Sequence, residues 1–248
     1  MKLNTTLNTD HPTTQETAQI NKKIIIKKEI KSFAIRSGRM TNTQKAGLSE
    51  LMPKYSFKIS DQTLDKQKII NYINNKPTII EIGFGMGDAF ICHAKKNIDL
   101  QFIGIEVHAP GVGNTLNLIE KHNISNCRII KHDAIEILKD FIPNNSITGL
   151  QLFFPDPWPK QKHHKRRIVN SNFLELIQSK IKDNGYIYMA TDWEDYAIQM
   201  HKLLEQQSQL QKIDISSLAI SQREQTKFER RAEKLGHTIT DLIYQKCP

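Results

Sequence analysis

Residues 78–90 read TIIEIGFGMGDAF. Behind Pro77, the run TIIEIGF is nearly all apolar and β-branched, as in a strand buried on both faces. Gly83, Gly85 and Gly87 then break the run into a turn. DAFICHAKKN, which follows, has helical character. Strand, glycine turn and helix in immediate succession are the opening of a βαβ unit.

The same alternation continues towards the C-terminus. QFIGIEVH is a second strand, and GVGNTLNLIEKHN carries Leu116 and Ile119 at helical spacing. CRIIKHDA is a third strand, followed by a short helix around Ile135 to Leu138. SITGLQLFF is a fourth strand. NSNFLELIQSKIKD places Phe173, Leu174, Ile177 and Ile181 on one helical face. GYIYMATD is a fifth strand and WEDYAIQMHKLLEQQ a fifth helix. Strands alternating with helices imply an α/β, doubly wound, mostly parallel sheet covered on both faces. HTITDLIYQKC, near the end, alternates and suits an antiparallel edge strand. Before the domain at 61–248, residues 1–19 are rich in Thr, Asn and Gln and read as a disordered polar tail. Residues 20–60 mix Ile with many cations and read as a basic arm packed on the domain.

Bulk properties narrow the function. The chain has 248 residues and a net charge of +9, which favours a polyanionic partner. No apolar run is long enough for a membrane span, and the N-terminus lacks a secretory signal pattern. The three cysteines, Cys92, Cys127 and Cys247, are scattered. They read as reduced thiols in the cytoplasm and argue against a metal site.

Ligands of open α/β sheets bind beyond the carboxyl ends of the strands. After the first strand, Gly83, Gly85 and Gly87 let the backbone turn and approach a ligand closely. Their GxGxG spacing differs from the GxGxxG of dinucleotide enzymes. Glu81, inside that strand, would be costly to bury without a partner such as an amine or a sulfonium-bearing ligand. Glu106 ends the second strand, where an acidic residue hydrogen-bonds a ribose diol. Asp133 follows the third strand. It suits an adenine exocyclic amine, a helix N-cap, or both.

The fourth strand runs into FFPDPWPKQKHHKRR, residues 153–167. Pro155 and Pro157 stiffen the backbone around Asp156, a device for rigid placement of one carboxylate. Trp158 is equally a stacking surface for a base or a core residue. Lys160, Lys162, His163, His164, Lys165, Arg166 and Arg167 then crowd the loop and the start of the next helix, where cations oppose the helix dipole. Phosphate contacts explain them better than stability does. Asp192 follows the fifth strand and offers a carboxylate fork for a guanine Watson–Crick edge. Thr226 and Glu229 have capping-box spacing.

With these residues in hand, the chain resembles the bacterial tRNA (guanine-N7-)-methyltransferase family from about Ile35 onwards. The resemblance rests on RSGRMTNTQ, EIGFGMGDA, GIEVH, FFPDPWPKQKHHKRR, TDWEDY and TKFERR. It implies a seven-stranded class I methyltransferase fold using S-adenosylmethionine, with S-adenosylhomocysteine as product. It implies methylation of a guanosine in the tRNA variable loop, with no metal, no membrane and no obligate protein partner. Glu81, Glu106, Asp133 and Asp156 fall on the family's cofactor positions, and Asp156 also on its proposed catalytic position. Lys160, Asp192 and the segment Thr226, Lys227, Phe228 and Glu229 fall on substrate positions. Lys162 to Arg167 fall on the RNA-contacting loop. Three other readings compete. One is a methyltransferase for an exocyclic amine, although its Asp-Pro-Pro-aromatic loop fits PDPW only loosely. The others are an NAD-dependent oxidoreductase and a non-catalytic RNA-binding module.

Overall fold

A computed structural model of the chain describes residues 30–34, 38–57, 66–218 and 224–248, without the side chains of Lys227, Phe228 and Glu233. The polar tail expected at 1–19 lies outside the described residues. Within the span read as a basic arm, residues 42–55 are helical. They form α1 (Asn42–Ala46), a π-helical turn (Gly47–Leu51) and α2 (Met52–Tyr55). Thr41 starts this segment with a capping box: its hydroxyl accepts from Gln44 N, while the Gln44 side chain accepts from Thr41 N. The apolar side chains Leu48, Leu51, Met52 and Tyr55 then pack onto the domain. α3 (Lys66–Asn75) follows, with Ile69 and Ile73 buried four residues apart on one face.

The regular alternation is as the sequence implies. β1 (Thr78–Ile82) is buried at every position. After it come α4 (Asp88–Lys96), β2 (Gln101–Ile105), α5 (Ala109–Lys121), β3 (Cys127–Ile130), α6 (Ala134–Asp140) and β4 (Ile147–Phe153). The chain continues through α7 (Ser171–Lys180), β5 (Ile181–Thr191), α8 (Glu194–Glu205), β6 (Leu210–Lys212), α9 (Lys227–Lys234) and β7 (Thr240–Lys246). Ile181, expected on the face of α7, instead opens β5, where it pairs with Ile147 ahead of a register shift.

Among the described residues the strands form one seven-stranded sheet in the order β3-β2-β1-β4-β5-β7-β6. The first five are parallel, and β7 runs antiparallel to β5. The antiparallel strand β7, read as an edge strand, therefore lies second from one end of the sheet, with β6 outside it. Leu242, Ile243 and Tyr244 are buried there on both faces, and the three-residue β6 shields the outer side of β7. β6 is too short and polar to have a sequence signature.

Two apolar layers cover the sheet. On one face α3, α6, α7 and α8 contribute Ile73, Ile137, Phe173, Leu174, Tyr196 and Met200. On the other, α4 and α5 contribute Phe90, Val112, Leu116 and Ile119. β1 pairs with β2 on one side and β4 on the other. Successive crossovers leave β1 in opposite directions, and the crevice beyond its carboxyl end is the topological switch point of the sheet.

The helical segment at 42–55 meets α5 backbone to backbone. A Cβ on Gly47 would lie 2.4 Å from Gly113 O, and one on Gly113 would lie 2.2 Å from Gln44 O. Neither obstacle is a flexible side-chain end. We expect Gly113→Ala to push this segment off α5 and to lower stability by about 1–3 kcal/mol, the usual cost of overpacking. A denaturant midpoint unchanged from wild type would show that the contact yields freely.

Candidate active site

The crevice beyond β1 is built from backbone before side chains. Gly83, Gly85 and Gly87 have φ of 76°, 59° and 84°, the left-handed region that glycine alone enters cheaply. Between them Phe84 turns inward and stacks on Phe90, with ring centroids 5.4 Å apart. A Cβ on Gly104 would lie 2.7 Å from the Phe84 ring, so the bare strand position makes room for this anchor. The first turn of α5 closes in from the other side. A Cβ on Gly111 would lie 2.1 Å from Gly85 O. A Cβ on Gly83 would meet nothing within 4 Å, so the first glycine faces open space.

Glu106 holds this loop together. Its carboxylate accepts from Gly85 N at 3.0 Å, Val107 N at 2.7 Å and His108 N at 2.9 Å. A carboxylate has about four acceptor sites. Three are thus spent on backbone, so a ribose diol can claim both hydroxyl contacts only by displacing one of them. Glu81 stands behind the loop, 5% exposed. Burial, and then the neighbouring Glu106, push its carboxyl up to about 8. Among the described residues no cation pairs with it. A buried acid beside a second acid, under an open glycine cradle, fits a ligand that brings a positive charge. The residues present therefore fit the S-adenosylmethionine that the resemblance implies.

Asp133 does double duty in the structure. Its Oδ1 caps α6 by accepting from Ile135 N at 2.9 Å, and its Oδ2 meets Lys31 Nζ at 2.9 Å. Lys31 also meets Glu136 Oε1 at 2.6 Å. The bonds to Glu136 and then Asp133 raise the Lys31 pKa well above the ordinary lysine value. The N-terminal segment therefore lies against the acidic residue expected to receive adenine. Nothing in the sequence near Lys31 announces this contact.

The loop after β4 carries the most strain. Phe154 and Trp158 have φ of 51° and 46°, unusual for aromatic residues. Such backbone costs about 1–3 kcal/mol per residue and persists only where the surroundings enforce it. Three hydrogen bonds to separate elements do so here. Phe154 N donates to Ala190 O of β5 at 2.8 Å, Trp158 Nε1 to Ser32 O at 3.0 Å, and Arg167 Nε to Pro157 O at 2.8 Å. Asp156, at the centre, is exposed and makes no hydrogen bond or ion pair among the described residues.

The cationic run divides into two groups. Residues 161–166 form a 3-10 helix, separate from α7, so the run does not load the start of that helix as expected. Lys160, Lys162 and Lys165 are exposed, and His163 and His164 are half-buried. Partial burial, and then the surrounding Lys162, Lys160, Arg166 and Lys165, hold His163 below the ordinary imidazole range. Arg166 lies 3.9 Å over the Trp158 ring and donates to Lys31 O and Phe33 O. It covers one indole face against a stacking base. Arg167 points inward and is 3% exposed. It bonds Pro157 O, Gln199 Oε1 and Asp195 Oδ2, and lies 4.6 Å over Tyr196. Arg167 is therefore a strut for the loop, a correction to its expected place among the phosphate contacts.

Asp192, half-buried beyond β5, meets His237 Nδ1 at 3.5 Å. Thr226 and Glu229 form the capping box of α9, with Glu229 N donating to Thr226 Oγ1 at 3.1 Å and Thr226 N to Glu229 Oε2 at 3.3 Å. Glu229 also lines a cleft of about 500 Å³ with Tyr188, Asp214, Gln225 and Asp241. The Lys227 and Phe228 side chains lie outside the described residues. Among the described residues no cluster of three His, Cys, Asp or Glu side chains could hold a metal ion, and no helix is long and apolar enough to cross a membrane.

Residues 75–242 match the family model Methyltransf_4, described as "Putative methyltransferase". The chain is 43% identical to the tRNA (guanine-N(7)-)-methyltransferase of Chromohalobacter salexigens, over 88% of this chain and 89% of that protein. It is 43% identical to the protein of the same name from Pasteurella multocida, over 94% and 92%. In fold it is similar to the aminoglycoside resistance methyltransferase NpmB1, at 15% identity, covering 77% of this chain and 97% of that one with a TM-score of 0.51. A glycine cradle at the switch point, a rigid exposed aspartate beyond β4, and relatives this similar over nearly their whole length lead to one conclusion: the chain belongs to the tRNA (guanine-N(7)-)-methyltransferase family.

Proposed function

We propose that the protein transfers a methyl group from S-adenosylmethionine to N7 of a guanosine in the variable loop of tRNA, acting in the cytoplasm. The observation that carries this reading is Asp156: an exposed carboxylate, rigidly held beside the crevice, with no ion pair among the described residues. S-adenosylmethionine supplies an electrophilic methyl on a positively charged sulfur. Guanine N7 keeps a free lone pair at neutral pH, so no protein group has to create the nucleophile. The protein has to align the two and stabilise the charge that appears on the purine.

Each candidate residue then has a task. Gly83, Gly85 and Gly87 bring the backbone close to the cofactor, and Glu81 receives its ammonium end. Glu106 shapes the loop and offers an acceptor to the ribose. Asp133 accepts from the adenine amine once Lys31 shares or leaves it. Asp156 stabilises the methylated, cationic purine more than the neutral one. Asp192 or Glu229 accepts from the guanine N1–H and N2–H, with Lys160 and the rest of the Thr226–Glu229 segment nearby in substrate roles. Lys162, His163, His164 and Lys165 face the RNA phosphates.

Three variants test this reading. Asp156→Asn keeps the shape of the loop and removes the charge. Its single-turnover rate on unmodified tRNA should fall by about 10²–10³, with 7-methylguanosine the only product in wild type. A near-normal rate would reduce Asp156 to a loop-shaping residue, and N6-methyladenosine would overturn the reaction itself. Salt dependence tests the division of the cationic run. Changing Lys162 and Lys165 together to Ala should flatten the slope of log K against log salt by about 1.5 units, at roughly 0.7 to 0.9 per phosphate contact. Arg167→Met should lower stability by about 1–3 kcal/mol through the groups it leaves unpaired, with the salt slope unchanged.

A further inference from the structure

We propose that Gln151 is a positioning residue for Glu81, and that its carboxamide turns over when Glu81 gives up a proton to admit the ammonium group of the cofactor. The inference rests on the reading of Glu81 as the cofactor's ammonium site and deepens it.

The observation is a buried acceptor without a donor. Gln151, on β4, is fully buried. Its Nε2 donates to Tyr186 Oη at 3.2 Å, while its Oε1 has no partner. A buried polar atom without a partner is costly to keep. Its register partner across β1 is Glu81, so both side chains leave the sheet on the same face, roughly 5 Å apart at Cβ. Tyr186, on β5, lies over Gly149, where a Cβ would come within 2.3 Å of its ring. Bare backbone at Gly149 thus lets the phenol reach Gln151. Glu81 and Gln151 are in register on β1 and β4, and Tyr186, opposite Gly149 on β5, reaches Gln151 from two residues along; all three are buried.

Glu81 with a carboxyl near 8 keeps its proton at neutral pH and is an O–H donor. Gln151 Oε1 is the acceptor it needs. When an ammonium group arrives, Glu81–CO₂H and R–NH₃⁺ become the pair Glu81–CO₂⁻ and R–NH₃⁺, and one proton leaves to solvent. The carboxylate can then only accept. The two ends of a carboxamide exchange by a half-turn, after which Nε2 donates to Glu81 and Oε1 accepts from Tyr186 O–H. Burial pushes the Tyr186 phenol far above its ordinary value, so its proton stays available. The half-turn thus gives the carboxylate a donor from Nε2 and leaves Oε1 facing the Tyr186 hydroxyl. The titratable groups facing Glu81 are Glu106 from the end of β2, Tyr186, and further along β5 Tyr188, which bonds Asp241 of β7 at 3.0 Å. The covering helices bring His93 of α4 and His108 at the start of α5.

Calorimetric titration of the full chain with S-adenosylhomocysteine tests this, in buffers of different ionisation enthalpy between pH 6 and 8. Wild type should release close to one proton at neutral pH and progressively less as pH rises through about 8, and its affinity should rise from pH 6 to 7. Glu81→Gln should bind more weakly, release no proton and lose the pH slope. Gln151→Met removes both amide partners. The charge-assisted bond to the carboxylate is the stronger one lost, so the midpoint of proton release should move to higher pH. Tyr186→Phe keeps the ring over Gly149 and removes the hydroxyl with which the amide trades. It should also move the midpoint, and it stands in if Gln151→Met does not fold. Proton release that persists in Glu81→Gln, or midpoints identical in wild type and the folded variants, would overturn the relay. Failure of S-adenosylhomocysteine to bind wild type at any pH would instead overturn the proposed function.

Discussion

β1 is hydrogen-bonded on both edges and buried on both faces, and the site follows from that constraint. A strand so enclosed has one free end. Because β2 and β4 flank it and their crossovers diverge, its carboxyl end opens into a crevice. The chain must leave β1 by a turn tight enough to start α4 at once, and three left-handed glycines supply it. Phe84 pins the turn into the core over Gly104, and Glu106 ties it to the end of β2. Glu81 on β1 and Glu106 beyond β2 thereby stand at the same end of the sheet.

A chain with net charge +9 keeps acids at the centre of its site and cations at the rim. The acids suit a sulfonium or ammonium ligand and a purine that becomes cationic. The cations suit RNA phosphates. The inward turn of Arg167 links the two regions. It spends its guanidinium on Pro157 O, Gln199 and Asp195, and so ties the aspartate loop to α8. The bond to Arg167 lowers the Asp195 carboxyl from its ordinary value, so the pair persists across the neutral range.

The strain at Phe154 and Trp158 belongs to the same economy of placement. Two aromatic residues with positive φ, each next to a proline, leave the loop few alternative conformations. A stiff carboxylate loses little on alignment with a substrate, which is where positioning contributes to rate. The N-terminal segment takes part as well. Ser32 O receives the Trp158 indole, and Lys31 reaches Asp133 across the crevice. The segment thus joins Asp133 to the loop that carries Asp156.

Much of this was legible in the chain. The period of apolar residues in TIIEIGF, SITGLQLFF and GYIYMATD marks buried parallel strands because strand periodicity is a local property. The acids at strand ends follow from the same reading, since an α/β sheet has one place for a ligand. The helical segment at 42–55 and the strand β6 were not legible. The first depends on two glycines, Gly47 and Gly113, fitting backbone against backbone, and the second is three residues long. The roles of individual cations were hidden too. KRR in a basic loop looks uniform, yet Lys165 faces solvent, Arg166 faces Trp158 and Arg167 faces Asp195 and Gln199. Sequence alone determined the alternation from β1 to α8 and the chemistry gathered at the strand ends, because these depend on neighbours along the chain. Tertiary structure decided which charges are spent inside, because the partners of Arg167 and Lys31 lie tens of residues away and only folding brings them into reach.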